Sequence, residues 1–511
     1  MVDKNPTIII IFGATGDLTA KKIAPALFHL WAKNRLPQKL KVVGFSRRAL
    51  TDEKFQEHIQ GLVKKDSHIK FNKNTLDSYL QLFNYQQGDF SVKEDYLVLE
   101  EYLERLENDW QEKANKLFYL AVPPTLYEGI FEHLSSTKIA REQKGTWNRI
   151  VVEKPFGNDL KTAEKLDEIL GKLFSEEQIY RIDHYLGKDL LQNILAFRFS
   201  NNLLEHSWNN KLIESIEIHL NESSGIDDDR GDSYDPVGAL RDVGQNHLLQ
   251  MLALVTMDNP MKLPRPDGRD IFSPRFVGSG IPPKRIRLRS DLRANALGVS
   301  RRGINFSAKQ IRQNRAKIIE TLKPLTPQEV KRQTFRGQYE GYRKVKNVPD
   351  YSQTETYFKI TGELKSPRWK GVSFVLESGK KLPSPRKEIV VTFKQTGGRK
   401  NKVVFSLEPR EKITILFWAK KPGLDMEIEE REFDFSYRRE HEQDEEQTAA
   451  YEKLLLDCLT GDQTLFVSTE EVRAMWRFID PIIRAWQENK VPLEIHKQRE
   501  TPANKITRVH R

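Results

Sequence analysis

The chain has 511 residues, of which 38% are hydrophobic and 30% are charged. That composition excludes a disordered or collagen-like protein, and the length predicts two or three folded domains that can bury a cofactor and a substrate. The N-terminal residues contain no apolar run long enough for a signal peptide or a membrane span. We therefore expect a cytoplasmic protein with no membrane partner.

The positive charge of the chain is concentrated in one segment. The formal net charge is +11, and residues 262–315 alone contain 14 Lys or Arg against 3 Asp. An excess confined to one stretch argues against nucleic-acid binding by the fold as a whole, so we expect no nucleic-acid partner. Residues 264–305, rich in Arg, Pro and Gly, are predicted to form a long basic insertion, which we interpret as a flap or a subunit contact.

The first 180 residues alternate apolar strands with helix-length segments. Residues 7–12 (TIIIIF) form a continuous apolar run, which is typical of a strand buried on both faces. Further strands are predicted at KLKVVGFSRR, KLFYLAVPP and RIVVEKPFG. This alternation predicts an α/β fold, with a Rossmann-like doubly wound parallel sheet that binds the cofactor, over residues 1–180.

The pattern changes after about residue 210. Apolar and polar side chains alternate with a period of two in SIEIHL, EIVVTFKQ, KVVFSLEP, KITILFWAKKPG and MEIEEREFDFSY. With helices between them, these strands predict an α+β domain with a large, mainly antiparallel sheet over residues 181–495, which we expect to bind substrate and to form the subunit interface. Residues 496–511 are charged and lack a repeating apolar face, so we expect a flexible tail.

A glycine turn follows the first strand. Gly13 and Gly16 lie at the strand-to-helix junction of GATGDLTAKK, where glycine lets backbone N–H groups approach a pyrophosphate, although the third fingerprint position is Thr19. The second strand ends in Arg47 and Arg48, where an NAD site usually carries a carboxylate. Arginine suits a 2′-phosphate, so the pattern favours NADP, with a surface arginine pair as the alternative reading.

The densest cluster of ionisable groups is RIDHYLGKD, residues 181–189. A helix there would place His184 and Lys188 on one face, which suits a dianionic phosphate. The same helix would direct Asp183 elsewhere and leave it able to orient another group. Each of these residues alone would more often be a solvated or structural group, but several in nine residues indicate a site.

Two further segments carry ionisable groups. EKPFG places Lys154 at the end of a strand, where open α/β sheets bind their ligands. RDVGQNH places Asp242 and His247 on one helix, about 140° apart around its axis. These two side chains therefore need not contact each other, and each could serve a different group of one ligand.

Motifs spread over residues 7 to about 490 resemble those of the glucose-6-phosphate dehydrogenase family. The resemblance rests, in this order, on GATGDLTAKK, GFSRR, EKPFG, RIDHYLGKD, RDVGQNHLLQ, RGQY and AYEKLLLDCLTGDQTLF. It implies oxidation of glucose 6-phosphate at C1 to 6-phosphogluconolactone with hydride transfer to NADP, the first step of the oxidative pentose phosphate pathway. It also implies a homodimer or homotetramer.

The resemblance assigns roles to individual residues. His247 would be the general base for the C1 hydroxyl, and Asp183 would orient it and stabilise the imidazolium, which suits a side chain that titrates near neutral pH. The substrate would be bound by Lys154, His184, Tyr185, Lys188, Glu222, Asp242 and Lys380. The cofactor would be bound by Gly13, Thr15, Gly16, Asp17, Leu18, Lys22, Arg47, Asp89 and Lys154. No metal ligands are expected, since hydride transfer to a nicotinamide needs none.

The sequence departs from the family pattern near LESGKKLPSPRK. Glu377 stands where the family usually has a basic residue, whereas Lys380 fits the expected phosphate-side lysine. A second basic residue, expected a few positions later, falls at Pro385, with Arg386 beside it. Arg386 could supply a shifted phosphate contact, and which residue replaces the second basic contact near Pro385 stays open from the sequence.

Two other interpretations stay open from the sequence. An NADP-dependent enzyme could act on another sugar phosphate or on an unphosphorylated sugar, and a nonenzymatic dinucleotide sensor could bind nucleic acid through the basic insertion. His184, Lys188 and Lys380 favour a phosphorylated substrate. His247 and Asp183 together favour catalysis.

Overall fold

The computed structural model of the chain describes residues 5–65, 73–260, 307–395, 397–436 and 446–502, together with two short strands at 299–300 and 303–304. Apart from those strands, the predicted basic insertion at 264–305 lies outside the described residues, and so do residues 503–511 of the predicted tail. Among the described residues, no helix is both long enough and apolar enough to cross a membrane.

The helices and strands follow one another along the whole described chain. Strands β1 to β18 span Thr7–Phe12, Leu40–Ser46, Phe83–Gln87, Asn115–Leu120, Asn148–Glu153, Ile179–Ile182, Ile213–Asn221, Val299–Ser300, Gly303–Ile304, Thr334–Tyr339, Tyr357–Glu363, Ser373–Gly379, Arg386–Phe393, Lys402–Glu408, Lys412–Lys420, Ile428–Ser436, Phe466–Val467 and Leu493–His496. Helices α1 to α14 span Ala24–Ala32, Asp52–Lys65, Lys73–Leu80, Lys93–Trp110, Tyr127–Ser136, Leu160–Gly171, Asp189–Phe199, Asn202–Glu205, Gly231–Tyr234, Leu249–Thr256, Ala308–Glu320, Pro327–Gln333, Glu446–Thr460 and Thr469–Gln487. Two π-helical segments, Thr19–Ile23 and Leu240–Leu248, directly precede α1 and α10.

The N-terminal sheet has seven strands in the order β17-β6-β5-β4-β1-β2-β3. The six strands β1 to β6 are parallel, and every residue of β1 is buried, because helices cover both faces of such a sheet. This confirms the predicted Rossmann-like fold. The edge strand β17 runs antiparallel to β6 and comes from residues 466–467, far along the chain.

The second sheet has nine strands in the order β16-β15-β14-β13-β7-β12-β11-β10-β18. Most neighbouring strands are antiparallel, as the alternating pattern predicts. Two pairs are parallel, β7 with β12 and β10 with β18. In both cases a long stretch of chain separates the two strands, so a crossover and not a hairpin connects them.

Helix α14 holds the segment that follows β5. Its Trp476 Nε1 donates to the backbone oxygen of Phe156 at 3.0 Å, and its Asp480 Oδ2 accepts from the backbone nitrogen of Leu160 at 2.9 Å. These two hydrogen bonds attach the segment to the helix at Phe156 and at Leu160. Because this segment begins at Lys154, the helix fixes the position of a predicted site residue.

The C-terminal residues that the structure describes are attached to the second sheet. His496 ends β18 and pairs with Tyr339 of β10, and the backbone nitrogen of Arg499 donates to the oxygen of Lys381 at 2.7 Å. His496 and Arg499 therefore contact the second sheet or the residues that follow its strands, within the stretch for which the sequence pattern predicts a flexible tail. Polar side chains on an edge strand leave no repeating apolar face for a sequence pattern to detect.

Candidate active site

His247 and Asp183 form a buried pair between the two sheets. His247 Nδ1 lies 2.5 Å from Asp183 Oδ1, and the two side chains are 3% and 1% exposed. Asp183 also accepts a hydrogen bond from the backbone nitrogen of Tyr185 at 3.0 Å, which fixes its carboxylate. A carboxylate so close to Nδ1 retains the hydrogen on that nitrogen, so Nε2 carries the lone pair.

Lys154 lies against the other nitrogen of the imidazole. Its Nζ is 2.9 Å from His247 Nε2, 3.0 Å from the backbone oxygen of Asp242 and 3.4 Å from Asp242 Oδ1. The expected separation of Asp242 and His247 is wrong, because Leu240–Leu248 is a π-helix and not an α-helix. Hydrogen bonds from i to i+5 return residues five positions apart to nearly the same side, so both contact one lysine.

Burial and the neighbouring charges act on the ionisation of this group of residues. Burial lowers the pKa of His247, and the Asp183 carboxylate opposes that effect. Burial alone would raise the pKa of Asp183, but the charge of His247 and its hydrogen bond hold that pKa at about 2. The pair therefore consists of a neutral imidazole and an ionised carboxylate at neutral pH, which is the state that a general base requires.

The rings of His184 and Tyr185 pack against the imidazole of His247, and Lys188 follows them in the chain. The ring centroids of Tyr185 and His184 are 4.2 and 4.9 Å from that of His247. The segment is not the α-helix considered from the sequence, since His184–Gly187 is a single 3₁₀ turn and Lys188 has extended backbone angles. The side chains of His184 and Lys188 nevertheless line the same cavity. Helix α7 begins directly after Lys188.

This cavity has a volume of about 580 Å³, comparable to sites for small ligands. It is lined by Lys22, His184, Tyr185, Lys188, Pro385, Lys387, Glu408, Pro409, Ala450 and Tyr451. Burial, then the charge of His247 whenever that ring is protonated, and then Lys154 hold the pKa of His184 well below its ordinary value. The lysines therefore supply the cationic charge of the cavity at neutral pH.

Glu222 and Lys380 form an ion pair at the ends of two adjacent strands. Glu222 directly follows β7 and Lys380 directly follows β12, and the two strands are parallel, so their carboxyl ends meet at one edge. Lys380 Nζ donates to Glu222 Oε2. Burial raises the pKa of Asp242. The charge of Lys154 and, more weakly, that of Lys380 are among the effects that lower it below its ordinary value. Glu222 and Lys380, two of the predicted substrate residues, therefore contact each other and lie near a third, Asp242.

The glycine turn after β1 depends on the backbone conformation of Gly13 and on hydrogen bonds to its oxygen. Gly13 has a φ of +82°, and a Cβ at this position would lie 2.4 Å from the oxygen of Ala121. The nitrogen of Gly16 donates to the oxygen of Gly13 at 2.9 Å, and the Thr19 hydroxyl donates to the same oxygen at 3.4 Å. The turn thus leads from β1 into helical residues that begin at Asp17 and Leu18 and continue through the π-helical segment with Lys22.

The carboxyl ends of β2 and β3 supply the other predicted cofactor residues. The Ser46 hydroxyl, at the end of β2, lies 3.1 Å from the Thr15 hydroxyl, and the exposed Arg47 follows it. Asp89 follows β3 and accepts from the backbone nitrogen of Ser91 at 2.9 Å. The Ser91 hydroxyl, then this backbone hydrogen bond and, more weakly, Arg47 lower the pKa of Asp89. Thr15, Arg47 and Asp89 therefore lie at one edge of the sheet.

We expect Gly13→Ala to destabilise the protein by about 1–3 kcal/mol, because an alanine resists this positive φ and its methyl group would meet the Ala121 oxygen. Gly129→Ala is the matched control, since no atom lies within 4 Å of a Cβ at that helical position. Urea unfolding of both variants measures the difference. Equal stability of the two would contradict the strain assigned to the turn.

Family models match almost the whole chain. The model described as "Glucose-6-phosphate dehydrogenase, NAD binding domain" matches residues 10–193, and the model of the C-terminal domain of the same family matches residues 195–270 and 299–510. The chain belongs to the glucose-6-phosphate dehydrogenase family. The N-terminal sheet is accordingly a nicotinamide-dinucleotide-binding domain of this family.

Curated relatives and solved structures of the glucose-6-phosphate dehydrogenase family support this assignment. The glucose-6-phosphate 1-dehydrogenases of Aggregatibacter actinomycetemcomitans and Chlamydia muridarum are 37% and 34% identical, over 93% and 94% of this chain and 90% of each relative. A glucose-6-phosphate dehydrogenase solved in complex with glucose 6-phosphate is 29% identical, with a TM-score of 0.82 over 98% of this chain and 97% of that one. The enzyme of Mycobacterium avium has a TM-score of 0.75 at 27% identity, over 97% and 95% of the two chains.

Two features of this family member were not found from sequence motifs. Lys387 and Glu408 line the cavity from β13 and the end of β14. Tyr119 donates to the Glu153 carboxylate at 2.7 Å next to Lys154, and burial raises the pKa of Glu153 to about 7. Sequence spacing carries no signal for either, because each contact joins residues that are distant in the chain.

Asp183, His184 and His247 also place potential metal-ligand atoms within 4.8 Å of one another. The 2.5 Å contact between His247 Nδ1 and Asp183 Oδ1 uses one nitrogen and one oxygen of that set. A nitrogen that donates its hydrogen has no lone pair for a metal ion. The geometry therefore favours proton transfer over metal binding by this group of residues.

Proposed function

We propose that this protein oxidises glucose 6-phosphate at C1 to 6-phosphogluconolactone with transfer of the hydride to NADP, the first step of the oxidative pentose phosphate pathway. The observation that carries the proposal is the Asp183–His247 pair beside a cavity lined by lysines. The names of the curated relatives and the glucose 6-phosphate complex of a similar structure support it.

His247 Nε2 removes the proton of the C1 hydroxyl. The imidazole becomes positively charged as it does so, and the ionised Asp183 at 2.5 Å stabilises that charge and maintains the orientation of the ring. Lys154, 2.9 Å from the same nitrogen, contacts the position that the hydroxyl would take. A lysine ammonium there can donate to the sugar oxygens and lower the charge that develops on them.

The remaining polar residues divide between the two ends of the substrate. Lys154, Asp242 and Glu222 would bind the sugar hydroxyls, since Lys154 and Asp242 contact each other next to the base. The phosphate would be bound by His184, Tyr185, Lys188 and Lys380. This division would put the dianion beside Lys188 and Lys380, where charge-assisted hydrogen bonds to the phosphate oxygens are strong.

The N-terminal domain fits a dinucleotide, because the turn after β1 has no room for a Cβ at Gly13 and leads into a helix. Bound there, NADP would supply the nicotinamide ring that accepts the hydride. Contacts with it are proposed for Gly13, Thr15, Gly16, Asp17, Leu18, Lys22, Arg47, Asp89 and Lys154. Arg47 would bind the 2′-phosphate, since a guanidinium matches the geometry of that group.

A substrate panel tests this function. Absorbance at the wavelength of reduced nicotinamide should rise with glucose 6-phosphate and NADP, and far more slowly with unphosphorylated glucose or with NAD. Turnover of another sugar phosphate in preference to glucose 6-phosphate would assign the site to a different substrate. No turnover of any sugar phosphate by folded protein would contradict the proposal.

Arg47→Glu should lower kcat/KM for NADP by roughly ten- to a hundredfold, because a charge-assisted hydrogen bond to the 2′-phosphate is replaced by repulsion. The same change should leave kcat/KM for NAD within about threefold, since NAD lacks that phosphate. Arg35→Glu is a control at another exposed arginine. A parallel loss with both cofactors would contradict the role of Arg47.

We expect kcat/KM, corrected for the dianionic fraction of the substrate, to be constant above the ordinary histidine pKa of 6.5 and to fall at lower pH. Burial lowers the pKa of His247, so the imidazole is neutral at neutral pH and gains a proton only below 6.5. A protonated imidazole cannot accept the hydroxyl proton. A decline that begins above pH 7 would contradict the assignment of this base.

The proposal includes a homo-oligomer and a cytoplasmic location. Four large apolar side chains at or near the edge strand β16 are strongly exposed, namely Leu424, Met426, Phe433 and Phe435. Exposed apolar area of this kind is typical of subunit contacts, and sedimentation equilibrium measures the mass of the assembly. The location rests on plant relatives that are named cytoplasmic.

A further inference from the structure

One carboxylate connects two lysines in the cavity that we assign to the phosphate. Glu408 Oε1 lies 2.9 Å from Lys188 Nζ, and Glu408 Oε2 lies 2.5 Å from Lys387 Nζ. Lys188 precedes α7, whereas Lys387 and Glu408 are neighbours across the paired strands β13 and β14. The lysine side chains are 18% and 16% exposed, so both are directed into the protein and not into solvent.

Lys387 is the basic residue of its segment that faces this cavity. Pro385 lines the cavity but carries no charge. Arg386 pairs with Glu388 at 2.6 Å, and its side chain is 44% exposed. Successive residues of a strand point to opposite faces, so β13 can place only one of the pair Arg386 and Lys387 in the cavity, and that residue is Lys387.

The bridge resembles a bound anion. Two ammonium groups that face one cavity repel each other, and a carboxylate with one oxygen on each relieves that repulsion. A phosphate presents the same arrangement of oxygens with a second negative charge, so it satisfies both lysines better than the carboxylate does. Glu408 is 31% exposed and can turn towards solvent when phosphate binds the two lysines.

We propose that Lys387 is a phosphate ligand of the substrate site and that Glu408 is its internal counter-ion, exchanged for the phosphate when substrate binds. The inference rests on the proposed function and extends it to residues outside the family motifs. In the exchange no covalent bond changes; the two lysine contacts of Glu408 are replaced by contacts to phosphate oxygens. Glu408 also makes the site selective for dianions, because an anion with a single charge competes less well than a dianion for the same two lysines.

Two variants have opposite expected effects on substrate affinity. Lys387→Met should raise KM for glucose 6-phosphate roughly ten- to a hundredfold, through loss of a charge-assisted hydrogen bond. Glu408→Gln should lower KM about threefold or more, because the competing charge is removed. In both variants kcat should stay within about threefold of the wild type, since neither change alters the Asp183–His247 pair.

The experiment combines steady-state kinetics with inhibition by inorganic phosphate as a probe of the anion site alone. The phosphate inhibition constant should follow KM, rising in Lys387→Met and falling in Glu408→Gln. Arg386→Met and Glu388→Gln are matched controls from the same strand that face away from the cavity, and both constants should stay within about twofold. Thermal unfolding of each variant identifies any that is misfolded.

Several results would overturn the inference. A KM for Lys387→Met within twofold of the wild type would remove Lys387 from the site, and a KM for Glu408→Gln that is unchanged or higher would make Glu408 a structural support. If Lys387→Met and Glu408→Gln unfold at lower temperature, Lys387→Gln and Glu408→Ser replace them, and the same affinity order decides. Failure of the proposed function is a separate outcome, since the wild type itself would then not oxidise glucose 6-phosphate.

Discussion

His247→Asn is expected to lower kcat by roughly 10²–10⁴-fold, because the variant removes the group that accepts the C1 hydroxyl proton. Asparagine is the informative replacement, since its amide can still donate to Asp183 in place of His247 Nδ1. The buried Asp183 carboxylate then retains a partner. Affinity for both substrates should change little, so the loss should be in kcat and not in KM.

The control for this variant is His206→Asn, at an exposed histidine outside the site. It should retain the kcat and the unfolding temperature of the wild type. Stopped-flow absorbance separates the hydride-transfer step from product release in each protein. A His247→Asn variant that keeps more than about a tenth of the wild-type kcat would assign the base to another residue.

Asp183→Asn is expected to produce a loss of similar size, roughly 10²–10⁴-fold in kcat, because a neutral amide cannot stabilise the imidazolium that forms when His247 takes the proton. The amide oxygen can still accept from the backbone nitrogen of Tyr185, so the turn after β6 should be retained. The variant therefore separates the charge of Asp183 from its structural contact.

The pH profile of Asp183→Asn distinguishes this account from general damage to the fold. The Asp183 charge raises the pKa of His247 against the effect of burial, so its removal should move the acid limb of the residual activity to lower pH. The measurement is kcat/KM from pH 5 to pH 8. An acid limb at the wild-type position, or at higher pH, would contradict electrostatic coupling between the two residues.

The N-terminal fold could be predicted from sequence because its signals are local. Residues 7–12 are apolar without interruption, and the structure buries all of them on both faces of a parallel sheet. The glycine at position 13 is needed for a positive φ immediately after that strand. Strand β17 gave no such signal, since two residues that pair with β6 from the far end of the chain form no pattern.

The catalytic geometry depended on a detail that residue types do not reveal. Leu240–Leu248 has the composition of an ordinary helix, and only its i to i+5 hydrogen bonding brings Asp242 and His247 to the same side. The bridge of Glu408 to Lys188 joins residues 220 positions apart. Sequence spacing describes neighbours along one element, whereas these contacts depend on how separate elements pack.

The most direct test of the central claim is the fate of a deuterium placed at C1 of glucose 6-phosphate. NMR of the reduced cofactor should show that deuterium at C4 of the nicotinamide, and the reaction should slow relative to unlabelled substrate when hydride transfer limits the rate. Both results would establish oxidation at C1 by direct transfer to the cofactor. Reduced cofactor without deuterium, or a sugar product that retains it, would contradict the function proposed for this protein.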